Sequence, residues 1–179
     1  NTYEADLKHI AKIEESLKNT PPTEGKSDLG INKINFGEDT RLFFSTAENV
    51  PDLIQNIRGA FKGKAVILDV WATWCGPCIV LIPALKALEE ELHDSGVRFV
   101  SISIDAEKDH EKWLNFIEER ELGGLQLMAD GEWKSDVAQA YNINGIPRFF
   151  LIDEEGKIID ANAPRPSDPS VKEVLLGDG

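Results

Sequence analysis

The chain has 179 residues, with 32 acidic against 19 basic side chains and a formal net charge of −13. Nucleic acid and anionic membrane both repel so acidic a surface, so neither is expected as a partner. One domain of this length buries about 70% of its extended-chain surface and folds without disulfide or metal, and no apolar run reaches the ~18 residues of a membrane-spanning helix.

Tyr3, Leu7, Ile10, Ile13 and Leu17 recur at helical spacing and predict a helix over 3–17. "NTPPTEGKSDLG" (19–30) stops it with two prolines and turn formers. Residues 1–30 are therefore expected to be an N-terminal helix and linker, and 31–179 the main domain. The helix either packs on the domain's flank or engages a partner. The first residue is Asn1 rather than Met, as expected of a processed or trimmed chain from which any signal peptide or anchor is gone.

Residues 31–44 are weakly strand-like. A helix is expected over 51–61, with Leu53, Ile54, Ile57 and Phe61 inward and Gly63 ending it. "KAVILDVWA" is a nearly continuous apolar run, as suits a central strand covered on both faces. The next helix runs from about Gly76 to Leu92, interrupted at Pro83. "VRFVSISID" (97–105) reads as a strand. Residues 107–120 form an acidic helix with Trp113, Leu114, Phe116 and Ile117 on its apolar side. "LQLMA" is a short strand and 135–141 a short helix. "RFFLID", the turn "EEGK" and "IIDA" make a hairpin. Asp168 and Pro169 begin a last helix. Helices alternating with apolar strands predict an α/β sandwich: a central mixed sheet flanked by helices, with an antiparallel hairpin at one side.

The two cysteines, Cys75 and Cys78, stand three positions apart in "VILDVWATWCGPC". Three readings compete. As a structural disulfide, so small a ring constrains the unfolded chain little. As half a zinc site, the pair needs two more ligands, and His9, His93 and His110 are scattered. As a redox couple, the pair fits its surroundings. Cys75 falls where strand gives way to helix, where free N–H groups favour a thiolate, so it is the expected exposed nucleophile. Cys78 lies one turn on, covered, and within bonding reach. Gly76 and Pro77 shape the turn between them. Asp69, inside "VILDV", has two readings. It is either a polar residue satisfied by neighbouring backbone, or a buried carboxyl of raised pKa that trades a proton with Cys78.

"WATWCGPC" resembles the active-site motif of thioredoxin-like thiol–disulfide oxidoreductases. Pro83 matches that family's helix-kinking proline. "NGIPRFFLID" looks like its substrate-side loop, which implies a cis peptide bond between Ile146 and Pro147 and a groove rimmed by Trp74, Ile146 and Pro147. The resemblance covers about residues 50–162, and the long segment between Asp105 and Met128 looks like the TlpA/ResA branch. It implies a thioredoxin-like sandwich with an N-terminal helical extension. It also implies dithiol–disulfide exchange with protein substrates, in the reducing direction, by a monomer. Cys75 would be nucleophile, Cys78 resolving residue and Asp69 proton relay. No metal or cofactor beyond the Cys75–Cys78 disulfide is implied. The branch implies a periplasmic or cell-envelope location and a membrane thiol carrier as electron donor, although cytoplasmic thioredoxins share the central motif.

There are departures from the pattern. Ser101 stands where thioredoxin has a lysine beside its buried aspartate. Arg148 replaces a frequent threonine, and is expected either near the thiolate or paired with a surface acid. "IVLI" (79–82) puts four apolar side chains in a row, too many to face one core, so at least one should be exposed as contact for a partner or for the N-terminal helix. Two rival classes share the fold. Thiol peroxidases place a proline and a threonine ahead of their cysteine, the threonine three positions before it; here Thr73 is two before Cys75, with no such proline. A non-catalytic binding module would not need both cysteines.

Overall fold

The computed structural model describes residues 42–45, 53–61, 63–129 and 131–175. The expected N-terminal helix over 3–17 and the linker over 19–30 lie outside the described residues. The strands are β1 (Leu42–Ser45), β2 (Val66–Trp71), β3 (Arg98–Ser103), β4 (Leu125–Met128), β5 (Arg148–Ile152) and β6 (Ile158–Asp160). The helices are α1 (Leu53–Ala60), α2 (Gly76–Val80), α3 (Ile82–Glu91), α4 (His110–Glu119), α5 (Asp136–Ala140) and α6 (Ser170–Leu175). One sheet runs in the order β1-β4-β3-β2-β5-β6. The first four strands of that order pair in parallel, while β5 runs antiparallel to both β2 and β6.

All six residues of β2 are buried, because helices cover both faces of the sheet. The pleat sends alternate side chains to opposite faces. Val66, Leu68 and Val70 meet Ile54 and Ile57 of α1, Trp113 and Ile117 of α4 and Val137 of α5 in the larger core. Ile67 meets Leu88 of α3, Phe149 and Leu151 of β5 and Val171 of α6 in the smaller one. Asp69 shares the pleat of Ile67, so the strand's only charge is sent beneath α3.

The expected interruption in the helix after the cysteines falls two residues before Pro83. A proline has no N–H, and its ring would strike the carbonyl four residues back, that of Ile79. The chain yields at Leu81, whose N–H donates to the Cys78 carbonyl at 3.2 Å. It re-enters a helix at Ile82 with Pro83 in the first turn, where the missing donor is harmless. The expected helix over 107–120 opens with a 3₁₀ turn, Glu107–Asp109, before α4. Gly63, at φ +98°, ends the first helix in the left-handed region that favours glycine. The hairpin is tied down by Asp153, whose carboxylate accepts from the N–H groups of Glu155 and Lys157. Arg58, fully buried, donates from Nε to the Gly156 carbonyl at 2.6 Å and so pins α1 to that turn.

Candidate active site

Cys75 and Cys78 form a disulfide with 5.2 Å between their Cα atoms. Cys75 is the N-cap of α2, in extended conformation, and its Sγ accepts from the Cys78 N–H at 3.2 Å. With five residues α2 carries little macrodipole, so the stabilisation a Cys75 thiolate finds here is mainly this local N–H donation. Pro77 occupies the first turn. Gly76 and Pro77 are both exposed. The sequence expectation of an exposed Cys75 beside a covered Cys78 does not hold in the disulfide form, where the two are 5% and 6% exposed. Their surroundings separate them instead. Cys75 is flanked in sequence by Trp74, Gly76 and Pro77, all exposed, while Cys78 lines a cavity beneath α3.

The approach to Cys75 is held by a residue that sequence reading missed. Asp105, just past the end of β3 and 1% exposed, accepts from the Thr73 backbone N–H at 3.0 Å and from the hydroxyls of Thr73 and Ser103. One carboxylate thereby locks the turn between β2 and the cysteines. Replacing Asp105 by alanine strands two buried Thr73 donors and should cost about 2–3 kcal/mol. Urea unfolding checks this, and asparagine, which keeps an acceptor, should cost less.

Asp69 is 6% exposed, and Ser101 Oγ donates to its Oδ1 at 2.6 Å. Ser101 sits directly across the parallel β2–β3 pairing. Burial pushes the Asp69 carboxyl from an ordinary 3.8 up to about 7. The Ser101 hydroxyl and a backbone hydrogen bond oppose the rise, and the nearby Glu89 carboxylate adds to it. A cavity of about 40 Å³ joins Asp69, Cys78 and Pro147, with Glu89, Ser101 and Gln126 in its wall. This volume accommodates a water molecule. The arrangement can hold a neutral acid beside a sulfur near neutral pH and pass its proton across a short gap.

The Ile146–Pro147 peptide bond is cis. Arg165 Nη1 donates to the Pro147 carbonyl at 3.0 Å, and its guanidinium lies 5.9 Å from the centre of the Phe149 ring. Ile146 is half-buried, packed on the larger core. Trp74 is 48% exposed, with its ring 6.0 Å from that of Trp133, another exposed aromatic that sequence reading did not single out. Of the "IVLI" run only Val80 is exposed, at 76%; Ile82 packs on the larger core and Leu81 on the smaller. Arg148 is not a surface cation. It is buried, donating from Nε to the Ala161 carbonyl at 2.6 Å, with its guanidinium 5.3 Å from the centre of the Phe150 ring.

The structure therefore places Asp69, Cys78 and Pro147 around one cavity, with Cys75 bonded to Cys78. Trp74, Gly76, Pro77 and Ile146 are not in its wall. Trp74, Gly76 and Pro77 lie at the surface and Ile146 is half-buried.

Residues 52–175 match the Redoxin family model. The thioredoxin-like protein YneN of Bacillus subtilis is 34% identical over 142 residues, which is 77% of this chain and 75% of YneN. The thiol-disulfide oxidoreductase ResA of Bacillus thuringiensis is 30% identical over 115 residues. That match spans 64% of each chain, just under two thirds of the length of ResA. Among solved structures, a Bacteroides vulgatus protein provisionally named a thiol-disulfide oxidoreductase is 45% identical with a TM-score of 0.58, over 67% of this chain and 76% of its own. A thiol:disulfide interchange protein from Bacteroides sp. is 32% identical with a TM-score of 0.57, over 66% of this chain and 78% of its own. The family match, the cysteine pair on its strand–helix turn and these relatives agree: the chain belongs to the Redoxin family, on its TlpA/ResA-like, thioredoxin-fold branch.

Proposed function

We propose that this protein is a thiol–disulfide oxidoreductase that reduces disulfides in client proteins through Cys75 and Cys78. The observation that carries the reading is the Cys75–Cys78 disulfide standing over a cavity shared with buried Asp69. In the dithiol form, the Cys75 thiolate attacks one sulfur of a client disulfide. The S–S bond breaks, the client's other sulfur leaves as a thiolate and takes a proton, and Cys75 is joined to the client. Asp69, ionised, then accepts the proton of Cys78 Sγ. The Cys78 thiolate attacks Cys75 Sγ, the mixed disulfide breaks, and the client departs with both cysteines reduced. Two electrons have moved from the Cys75–Cys78 pair to the client, so the reaction needs no cofactor beyond that pair.

Trp74, Ile146 and Pro147 wall the client groove, with Val80 and Trp133 extending its apolar border. At Gly76 an added Cβ would meet nothing within 4 Å, so glycine keeps the surface low beside the sulfur for an incoming chain. An extended client segment pairs with the backbone at Ile146 as an added strand. By its branch, the protein works as a monomer facing the periplasm or cell envelope and is recharged by a membrane thiol carrier. No described helix is long and apolar enough to cross a membrane.

Equilibration with glutathione or dithiothreitol buffers, followed by thiol trapping and mass spectrometry, tests the reading. The expected potential lies below about −230 mV, in the reductant range. A value of about −120 to −180 mV would reverse the direction to oxidant or isomerase. Failure to form the internal disulfide would overturn the redox function itself.

A further inference from the structure

Resting on the reading of Asp69 as the group that takes a proton from Cys78, one question is where that proton goes next. Asp69 sits mid-strand at 6% exposure, so its proton reaches bulk water by way of the cavity. Among the described residues lining its cavity, Glu89 on α3 is the one carboxylate that also meets solvent. The segment beside it leaves room for its carboxylate and sets an unpaired acceptor in the same cavity. A Cβ built on Gly123 would overlap Glu89 Oε1 and stand 3.3 Å from Oε2, so the missing side chain at 123 leaves the place that the carboxylate fills. The Gly123 carbonyl takes the amide of Gln126 at 2.8 Å. The other end of that amide, Gln126 Oε1, is buried in a residue 3% exposed and has no hydrogen-bond donor among the described residues. A buried acceptor of this kind is costly unless a donor reaches it. A water molecule in the cavity would donate to it and carry the proton between the two carboxyls.

The remaining charge around the cavity agrees. Lys86, one turn before Glu89, is committed through Nζ to the Arg120 carbonyl at 3.0 Å. The other lining residues from the strands and α2 are uncharged: Trp71 from β2, Phe99 and Ser101 from β3, Gln126 from β4, Phe149 from β5 and Cys78 from α2. Asp69 therefore shares the cavity with a like-charged neighbour, Glu89, and with Lys86 held toward Arg120, while Ser101 stands directly across from it. The Glu89 charge raises the Asp69 carboxyl, so the two groups are coupled across the cavity.

We propose that Glu89 is the solvent-side station for the Asp69 proton: the proton leaving Cys78 Sγ passes to Asp69, crosses the cavity past Gln126, and exits from Glu89. The path runs in reverse when the protein is recharged. Glu89 is thus a positioning residue that acts through Asp69.

The test uses carbon-13 NMR of the Asp69 carboxyl in the disulfide form, with the pH profile of insulin-disulfide reduction, for wild type, Glu89→Gln, Glu89→Asp, Gly123→Ala and Asp69→Asn. In Glu89→Gln the Asp69 midpoint should fall, because a like charge is gone. Client reduction should nonetheless slow roughly tenfold around pH 6 to 8, because the exit is gone. Glu89→Asp should restore most of the rate. Gly123→Ala, which keeps the charge and displaces the carboxylate, should slow the reaction between these extremes. A purely electrostatic Glu89 would do the opposite below pH 7: more Asp69 would be ionised and Glu89→Gln would react faster, which would overturn the relay. An unchanged midpoint and profile in Glu89→Gln would overturn it too. Asp69→Asn separates the two levels. If it slows reduction while Glu89→Gln does nothing, only the exit path fails; if Asp69→Asn itself changes nothing, the underlying role of Asp69 fails and the exit path with it.

Discussion

Cys78→Ser should accumulate a client bound through Cys75, while Cys75→Ser should trap nothing, and both should lose client reduction down to the background rate. The order of attack is decided by what surrounds each sulfur, since their exposures of 5% and 6% do not separate them. Cys75 caps α2 between exposed neighbours and receives an N–H bond from Cys78, so its thiolate is stabilised at the edge a client reaches. Cys78 opens onto the cavity it shares with Asp69, where its proton can be removed. With Cys78 gone, the mixed disulfide on Cys75 has no internal thiol to resolve it and persists. Non-reducing gels and mass spectrometry of the protein mixed with an oxidised client read the outcome. A trapped client on Cys78 in the Cys75→Ser protein would reverse the roles. Stability serves as the control. A ring closed over two intervening residues contributes at most about 2 kcal/mol, so both variants stay folded and their loss is chemical.

Much of this site is written locally in the chain. Strand, turn, cysteine pair and helix lie within fifteen residues of one another, and both the burial of β2 and the pleat that turns Asp69 toward α3 follow from an apolar run broken only by Asp69. Features that depend on where distant segments meet could not be read this way. Asp105 ends a strand with an acid, which in sequence looks like a solvated strand end; only the β2–β3 pairing brings Thr73 onto it. Arg148 looks like a surface cation until the Ala161 carbonyl and the Phe150 ring enclose it. Trp133 is one aromatic in a polar turn, and its meaning comes from Trp74, fifty-nine positions away. A break near Pro83 was within reach of sequence alone, but its place at Leu81 depends on how the chain relieves the clash with the Ile79 carbonyl.

The pH dependence of stability gives the other large expected effect. Asp69 is protonated in the folded protein up to about pH 7, whereas in the unfolded chain it ionises near 3.8. Below pH 3.8 both states hold the proton and the group is neutral toward folding. Between 3.8 and 7 the folded state binds the extra proton, so stability falls as pH rises. Above 7 the folded protein carries a buried carboxylate, and the full penalty is present. Moving a carboxyl from 3.8 to about 7 is worth roughly 4 kcal/mol. Asp69→Asn removes the charge and keeps an acceptor for the Ser101 hydroxyl, so it should be more stable than wild type by up to about this amount at pH 9 and by much less at pH 4. Urea unfolding of both disulfide-form proteins at pH 4, 6 and 9 measures the difference. Equal gaps at all three pH values would mean that Asp69 is not the titrating group. The same substitution should slow client reduction, since Cys78 loses its proton acceptor. Greater stability with poorer turnover, from one isosteric change and growing with pH, is what separates a carboxyl kept for proton transfer from one kept for the fold, and the second kind would lose stability instead.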